Sequence, residues 1–148
     1  MVKRKKQIIT SPYGVRGEIF HKGVDLRCYN FMNWKKQPIV FPEQCRVIRV
    51  GYQEQWGFNV VCRTKNESGL KDYVLKFIHL EKPKVKINNV YKKGDLVGWT
   101  TVTDYMKEHG YYEHLHFETY EDDYTDLHFN PIKYFDERGI QYADRLES

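Results

Sequence analysis

Glu113-His114-Leu115-His116-Phe117-Glu118 sets two histidines two residues apart, interleaved with apolar Leu115 and Phe117. That alternation has the period of a β-strand, whose successive side chains point to opposite faces. It sends His114, His116 and Glu118 to one side and Leu115 and Phe117 to a core. Two imidazoles side by side on one sheet face suit a divided task, one binding a metal and the other moving protons beside it. A surface strand that happens to carry histidines shows the same pattern, so the pair alone decides nothing.

Outward from this stretch the chain keeps the same rhythm. Short apolar runs recur at 39–41, 45–50, 58–63, 73–78, 96–99 and 112–119. Pro42, Gly51, the stretch 66–69, Pro83, Asn88-Asn89 and Gly94 punctuate them as turns. Aromatic residues make up 16% of the sequence, twelve of them tyrosines, and such bulky apolar material favours strands. The expected fold is mostly β: a compact antiparallel sheet domain with a groove and little helix. Helix is expected only over 103–109, with Thr103 as N-cap, and as a short turn at 131–135. No repeat or Ser/Gly-rich linker divides the 148 residues, which suit one ordinary domain.

Charge and hydropathy exclude several classes. A mean hydropathy of −0.73 and the absence of any apolar run near 18–20 residues argue against membrane insertion, since spanning needs roughly that length. The basic start Met1-Val2-Lys3-Arg4-Lys5-Lys6-Gln7 runs into Ile8-Ile9-Thr10-Ser11-Pro12. A signal peptide would have an apolar segment of about 7 to 15 residues there, so none is expected. Net charge is +4, with basic clusters at 3–6 and at Lys35-Lys36 that read as solvated ends. The acidic run 118–126 speaks against a nucleic-acid-binding face. Cys28, Cys45 and Cys62 are odd in number and lack Cys-x-x-Cys spacing, which points to reduced, buried thiols rather than disulfides or a thiolate metal site.

The other histidines divide into two groups. His21 and Asp25 flank Gly23 in His21-Lys22-Gly23-Val24-Asp25, where a turn at Gly23 can bring imidazole and carboxylate to one point. A neutral nitrogen and an anionic oxygen together suit a divalent metal, zinc above all. His79 closes the apolar run 73–78 ahead of the charged loop 81–86 and reads, by itself, as a satisfied edge residue. His109 and His128 carry no pattern and are assigned no role.

The order of the pieces carries more information than any one of them. Ser11-Pro12-Tyr13-Gly14-Val15-Arg16, then His21-Lys22-Gly23-Val24-Asp25, then Phe77-Ile78-His79-Leu80, then Lys92-Lys93-Gly94-Asp95-Leu96-Val97-Gly98, then His114-Leu115-His116-Phe117-Glu118, then Asn130-Pro131 ahead of Tyr134-Phe135 resembles the lysostaphin-type zinc endopeptidases. These cut the peptides of bacterial cell walls. The resemblance covers about residues 11–135. It implies a peptidase domain over 11–136, a basic N-terminal segment at 1–10 and a C-terminal tail at 137–148. It implies one zinc ion per chain held by His21, Asp25 and His116, with His79 and His114 as the catalytic histidines. Three protein ligands are what catalytic zinc sites use, keeping the fourth position for water. Glu118, on the same strand face, can orient a ligand imidazole.

Two segments depart from the family pattern. A Gly/Ser/Thr-rich loop usually precedes His-Leu-His, whereas 100–112 here is bulky. After Asp25, the stretch Arg27-Cys28-Tyr29-Asn30-Phe31-Met32-Asn33-Trp34 stands where a short Pro/Gly turn is more usual. Both are expected to line the groove and bear on substrate preference. The resemblance implies bacterial peptidoglycan as substrate. The lack of an export signal points to a phage product, with other phage tail proteins as further partners, and no specific nucleic acid is expected. A virion tail or a released phage lysin is the expected setting. The alternative is a non-catalytic wall-binding or tail-assembly module with the same fold; metal content separates the two.

Overall fold

The computed structural model describes residues 1–28, 36–122 and 126–144. In chain order its strands are β1 (Gln7–Ser11), β2 (Gly14–Arg16), β3 (Ile19–His21), β4 (Gly23–Arg27), β5 (Pro38–Val40), β6 (Cys45–Gln53) and β7 (Gly57–Thr64). They continue with β8 (Val74–Leu80), β9 (Val90–Tyr91), β10 (Leu96–Trp99), β11 (His114–Tyr120), β12 (His128–Phe129) and β13 (Tyr142–Asp144). Two helices interrupt them, α1 (Asp104–Glu108) and α2 (Pro131–Arg138).

One large sheet runs in the order β13-β1-β4-β11-β8-β7-β6-β9, with β12 added on β11. All its pairings are antiparallel except β1 with β13. The expected mostly β architecture is what forms. Strands β1 and β13, near the two ends of the described chain, belong to this sheet, and Met1 and Val2 are buried in its core. Leu26, Leu115, Phe117, Leu75, Phe77, Val60 and Val47 line one face and pack with Ile39, Phe41, Tyr134 and Phe135. The opposite face is the groove floor.

Helix α1 starts at Thr103, whose hydroxyl accepts from the Met106 backbone N–H, as its capping role requires. Helix α2 is longer than the expected short turn. Asn130 caps its start, Pro131 sits in its first turn, and Gly139 closes it in the left-handed conformation at φ 66°. Cys28, Cys45 and Cys62 are free and buried. The stretch 29–34, expected to line the groove, lies outside the described residues.

Two expectations are corrected. His79 is not an edge residue, because β8 lies between β11 and β7. Strict alternation would also put His79 on the core face with Leu75 and Phe77. Instead β8 bulges there: Phe58 pairs with Leu80 and Asn59 with Ile78, leaving His79 as the extra residue, at φ 76°. The bulge turns the imidazole to the groove face and returns Leu80 to the core.

Nor is Gly23 a turn. It opens β4 directly after Lys22, opposite Glu118 of β11. A Cβ there would stand 2.3 Å from the Phe117 carbonyl oxygen and 2.9 Å from Glu118 Cγ, so only glycine allows this approach. Gly23→Ala is therefore expected to destabilise the fold by at least about 2 kcal/mol, as overpacking against backbone does. Urea unfolding measures it, and a loss below about 0.5 kcal/mol would show that the two strands are not so tightly apposed.

Candidate metal centre

Strands β4 and β11 run antiparallel in a register that pairs His116 with Asp25 and His114 with Arg27. Alternation puts all four side chains on the groove face. His21, at the end of the β2–β3 hairpin, reaches the same point. Three donor atoms converge: His21 Nε2 is 3.2 Å from Asp25 Oδ1, His116 Nδ1 is 2.9 Å from that oxygen, and the two nitrogens are 3.2 Å apart. His114 Nε2 lies 3.6 Å from the same oxygen. His79 stands beside them, its ring centroid 4.7 Å from that of His114 and 6.0 Å from that of His116. All five residues singled out in the sequence thus come together.

The outward nitrogens of the four histidines explain the inward ones. His79 Nδ1 donates to the Trp56 carbonyl at 2.9 Å, and His114 Nδ1 donates to the Tyr112 carbonyl at 2.7 Å. His116 Nε2 donates to Glu118 Oε2 at 2.7 Å, and Tyr120 Oη holds the other Glu118 oxygen. His21 Nδ1 lies 2.7 Å from the Pro12 carbonyl and 2.8 Å from Arg16 Nη2. That Arg16 nitrogen has Ser11 Oγ and Asp25 Oδ2 as acceptors, so its protons are placed without His21. The carbonyl oxygen can only accept, so His21 Nδ1 carries the proton.

In this tautomer set the inward nitrogens all carry lone pairs, and Asp25 Oδ1 is an acceptor as well. Acceptors packed this closely repel one another unless a cation lies between them. A tetrahedral zinc with bonds of about 2.0–2.1 Å spaces its ligand atoms about 3.3 Å apart, close to the triangle found here. Two imidazoles and one carboxylate also form a donor set that zinc uses in catalytic sites. The residues fit a divalent metal of that kind.

Without a metal, protons take its part. Burial opposes charge on His116, but hydrogen bonds to Asp25 and Glu118 outweigh it and raise its pKa from 6.5 to about 9. Burial would raise the Asp25 carboxyl too, yet His116 and His21 hold it far below the carboxylate range. Glu118 is likewise held down, to about 2, by His116 against the effect of burial. His79 goes the other way: burial first, then neighbouring His114, lower it to about 3.

The site has walls that isolated histidine motifs do not reveal. Trp56 packs edge-on to Tyr105 and Tyr111, at centroid distances of 5.0 and 6.1 Å, and Tyr105 stacks on His109 at 4.0 Å. The bulky segment ahead of His114 supplies Tyr105, His109 and Tyr111 of this wall, and the turn between β6 and β7 supplies Trp56. His128 lies apart from the metal centre, its Nδ1 2.8 Å from Tyr13 Oη. Arg16 was legible only as part of a motif; its contact with Asp25 depends on the hairpin's geometry.

No protein-family profile matches the chain. Two curated relatives do: lysostaphin of Staphylococcus staphylolyticus, 29% identical over 107 residues, and lysostaphin of Staphylococcus simulans, 28% identical over 107 residues. Each match covers 72% of this chain but 20% and 19% of the relative, so the chain spans about a fifth of their length. The solved catalytic domain of Staphylococcus simulans lysostaphin has a TM-score of 0.62 at 22% identity, covering 86% of this chain and 89% of that one. The catalytic domain of a mutant of the prophage-encoded protein EnpA from Enterococcus faecalis gives 0.64 at 20%, covering 86% and 91%. A chain of the SpoIIIAH and SpoIIQ complex gives 0.64 at 15%, covering 90% and 95%. At these identities the solved structures show a common fold.

The metal-free site makes its own prediction. A pKa held above its unfolded value of 6.5 gives His116 a stabilising contribution that is complete below pH 6.5 and lost as pH rises through about 9. His79 has the opposite sign: kept neutral down to about pH 3, it costs stability as pH falls below 6.5. Asp25, held below the carboxylate range, contributes above that range, and this is lost in acid. Chelator-treated protein should therefore be most resistant to urea near pH 6.5 and weaken toward both pH 5 and pH 9. A midpoint that climbs steadily from pH 6.5 to 9 would contradict the arrangement.

Proposed function

We propose, from the premise that the chain belongs to the lysostaphin-type peptidase family, that it is a zinc-dependent endopeptidase of bacterial peptidoglycan. The observation that carries this reading is the convergence of His21, Asp25 and His116 donor atoms, with His79 and His114 directly beside them. In this reading those three residues hold one zinc ion. When bound, it would supply Lewis acidity and bring the pKa of water down to about 7.

The chain's own groups would do the rest. Glu118 fixes His116 with Nδ1 facing inward. His79 and His114 each keep an Nε2 lone pair toward the groove, because their Nδ1 protons are committed to backbone carbonyls. One can take a proton from the attacking water, and once protonated it can deliver that proton to the leaving amine. The other, in its protonated form, can donate a hydrogen bond to the oxyanion that develops at the scissile carbonyl. Burial keeps His79 neutral at neutral pH, so it presents a lone pair rather than a proton to the groove there.

The wall peptides, stem or cross-bridge, are the proposed substrate, and a phage tail enzyme or released lysin is the proposed setting. The setting is supported by the shared fold with a prophage-encoded protein. The alternative, a non-catalytic wall-binding or assembly module, has the fold shared with a chain of the SpoIIIAH and SpoIIQ complex in its favour. It gives no reason for five groove residues to keep the arrangement described above.

Purified protein should solubilise wall material, stop in excess chelator and recover with zinc. His116→Ala should lose both zinc and activity. His114→Ala and His79→Ala should keep zinc near one per folded chain while turnover falls about 10²- to 10⁴-fold, the usual range for a positioned acid–base group. Zinc per chain read beside wall digestion tests this. If His114→Ala loses the metal and His116→Ala keeps it, the two roles must be exchanged; lysis in chelator by zinc-free protein ends the reading altogether.

A further inference from the structure

Arg27 lies on the groove floor beside one of the proposed catalytic histidines. It follows Asp25 by two residues on β4 and so shares its face, and the register pairs it directly with His114. Directly paired residues carry Cβ atoms about 5 Å apart. The Arg27 side chain therefore starts next to His114 on the groove face.

Arg27 and His114 line a common cavity of about 200 Å³, together with Asp25, Thr10 and the loop residues Tyr111 and Tyr112. Tyr111 and Tyr112 are exposed, at 47% and 63%, and add aromatic surface to this cavity. The two carboxylates on this cavity are already engaged. Asp25 is held by His21, His116 and Arg16, and buried Glu113 accepts from the Thr100 hydroxyl. Arg27 is the one permanently charged cation among the described lining residues. It has an interaction within the protein too, but a guanidinium carries five N–H donors and can serve a second acceptor. Its planar fork matches a carboxylate.

We propose that Arg27 determines specificity by binding a carboxylate on the substrate residue next to the scissile bond. Preferred substrates are then peptides with an acidic residue there, rather than bridges of uncharged residues alone. The inference rests on the peptidase reading above and names the substrate class for that same site.

The test uses synthetic wall-type peptides in pairs that differ only by Glu or Gln at one residue flanking the bond, with one pair for each side. Zinc-loaded protein should cut the Glu member of one pair with kcat/KM about tenfold or more above its Gln partner, the worth of a charge-assisted hydrogen bond. Arg27→Gln should bring that ratio close to one while its zinc content and melting temperature match the parent, and Arg27→Lys should restore part of it. Calorimetric binding of the same peptides to chelator-treated protein should show the same preference. Equal treatment of Glu and Gln in both pairs, or a preference that survives Arg27→Gln, overturns the inference. If Arg27→Gln does not fold, Arg27→Lys and the loss of the parent's preference in high salt decide in its place. Arg27-dependent binding without cleavage of any peptide would leave the inference standing and remove the peptidase reading.

Discussion

The pairing of β4 with β11 puts Asp25 opposite His116 and Arg27 opposite His114, and the metal centre depends on that register. A slip of one residue would turn every side chain of β11 to the other face, burying three polar groups and exposing Leu115 and Phe117. Two features prevent it. Leu26, Leu115 and Phe117 are fully buried, which fixes the parity, and Gly23 fits against the Phe117 carbonyl where no other residue can, which fixes the position along the strand. The core thus specifies the site from behind, through residues that never touch the groove.

Electrostatics then complete what the register begins. Each of the four site histidines spends its outer nitrogen on a carbonyl or carboxylate acceptor, and each therefore presents a lone pair inward. Three of those acceptors are backbone carbonyls, of Pro12, Trp56 and Tyr112, so side-chain substitutions nearby leave the acceptor atoms in the chain. Only His116 relies on a side chain, Glu118, itself steadied by Tyr120. Burying this many polar groups is costly unless each has a partner. The remaining mismatch, acceptors facing acceptors, is what a divalent cation would relieve.

What the sequence made legible follows from the range over which each signal acts. The alternation around His114 and His116 is local, and it gave both the strand and its faces. The N-cap at Thr103 and the turn residues between strands are local as well. The strands β1, β4 and β13 are short and mixed in composition, and they become strands only through pairing with distant segments, so no window of sequence displays them. His79 is the sharpest case. Its neighbours Leu75 and Phe77 predict the core face, and only the bulge against β7 reverses that. Motif order, by contrast, joined His21, Asp25, His79, His114 and His116 into one candidate site without any knowledge of the path between them.

That bulge also ties the two sides of the groove to different fates. A non-glycine residue at positive φ costs on the order of 1 kcal/mol and persists only where its surroundings enforce it. His79 is held by its bond to the Trp56 carbonyl, by the Thr101 N–H on its own carbonyl at 2.9 Å, and by the close approach of Gly57 to Leu80. Trp56 in turn packs in the aromatic wall with Tyr105 and Tyr111. On this side, the wall a substrate would meet and the support for a strained histidine are one structure, so reshaping the wall disturbs His79. On the β4 side, Arg27 is placed by strand register and supports none of the site's hydrogen bonds described above. Substrate preference can therefore change at Arg27 while the metal centre stays intact, whereas changes in the Trp56 wall also reach the His79 imidazole, whose ring centroid lies 5.8 Å from that of Trp56.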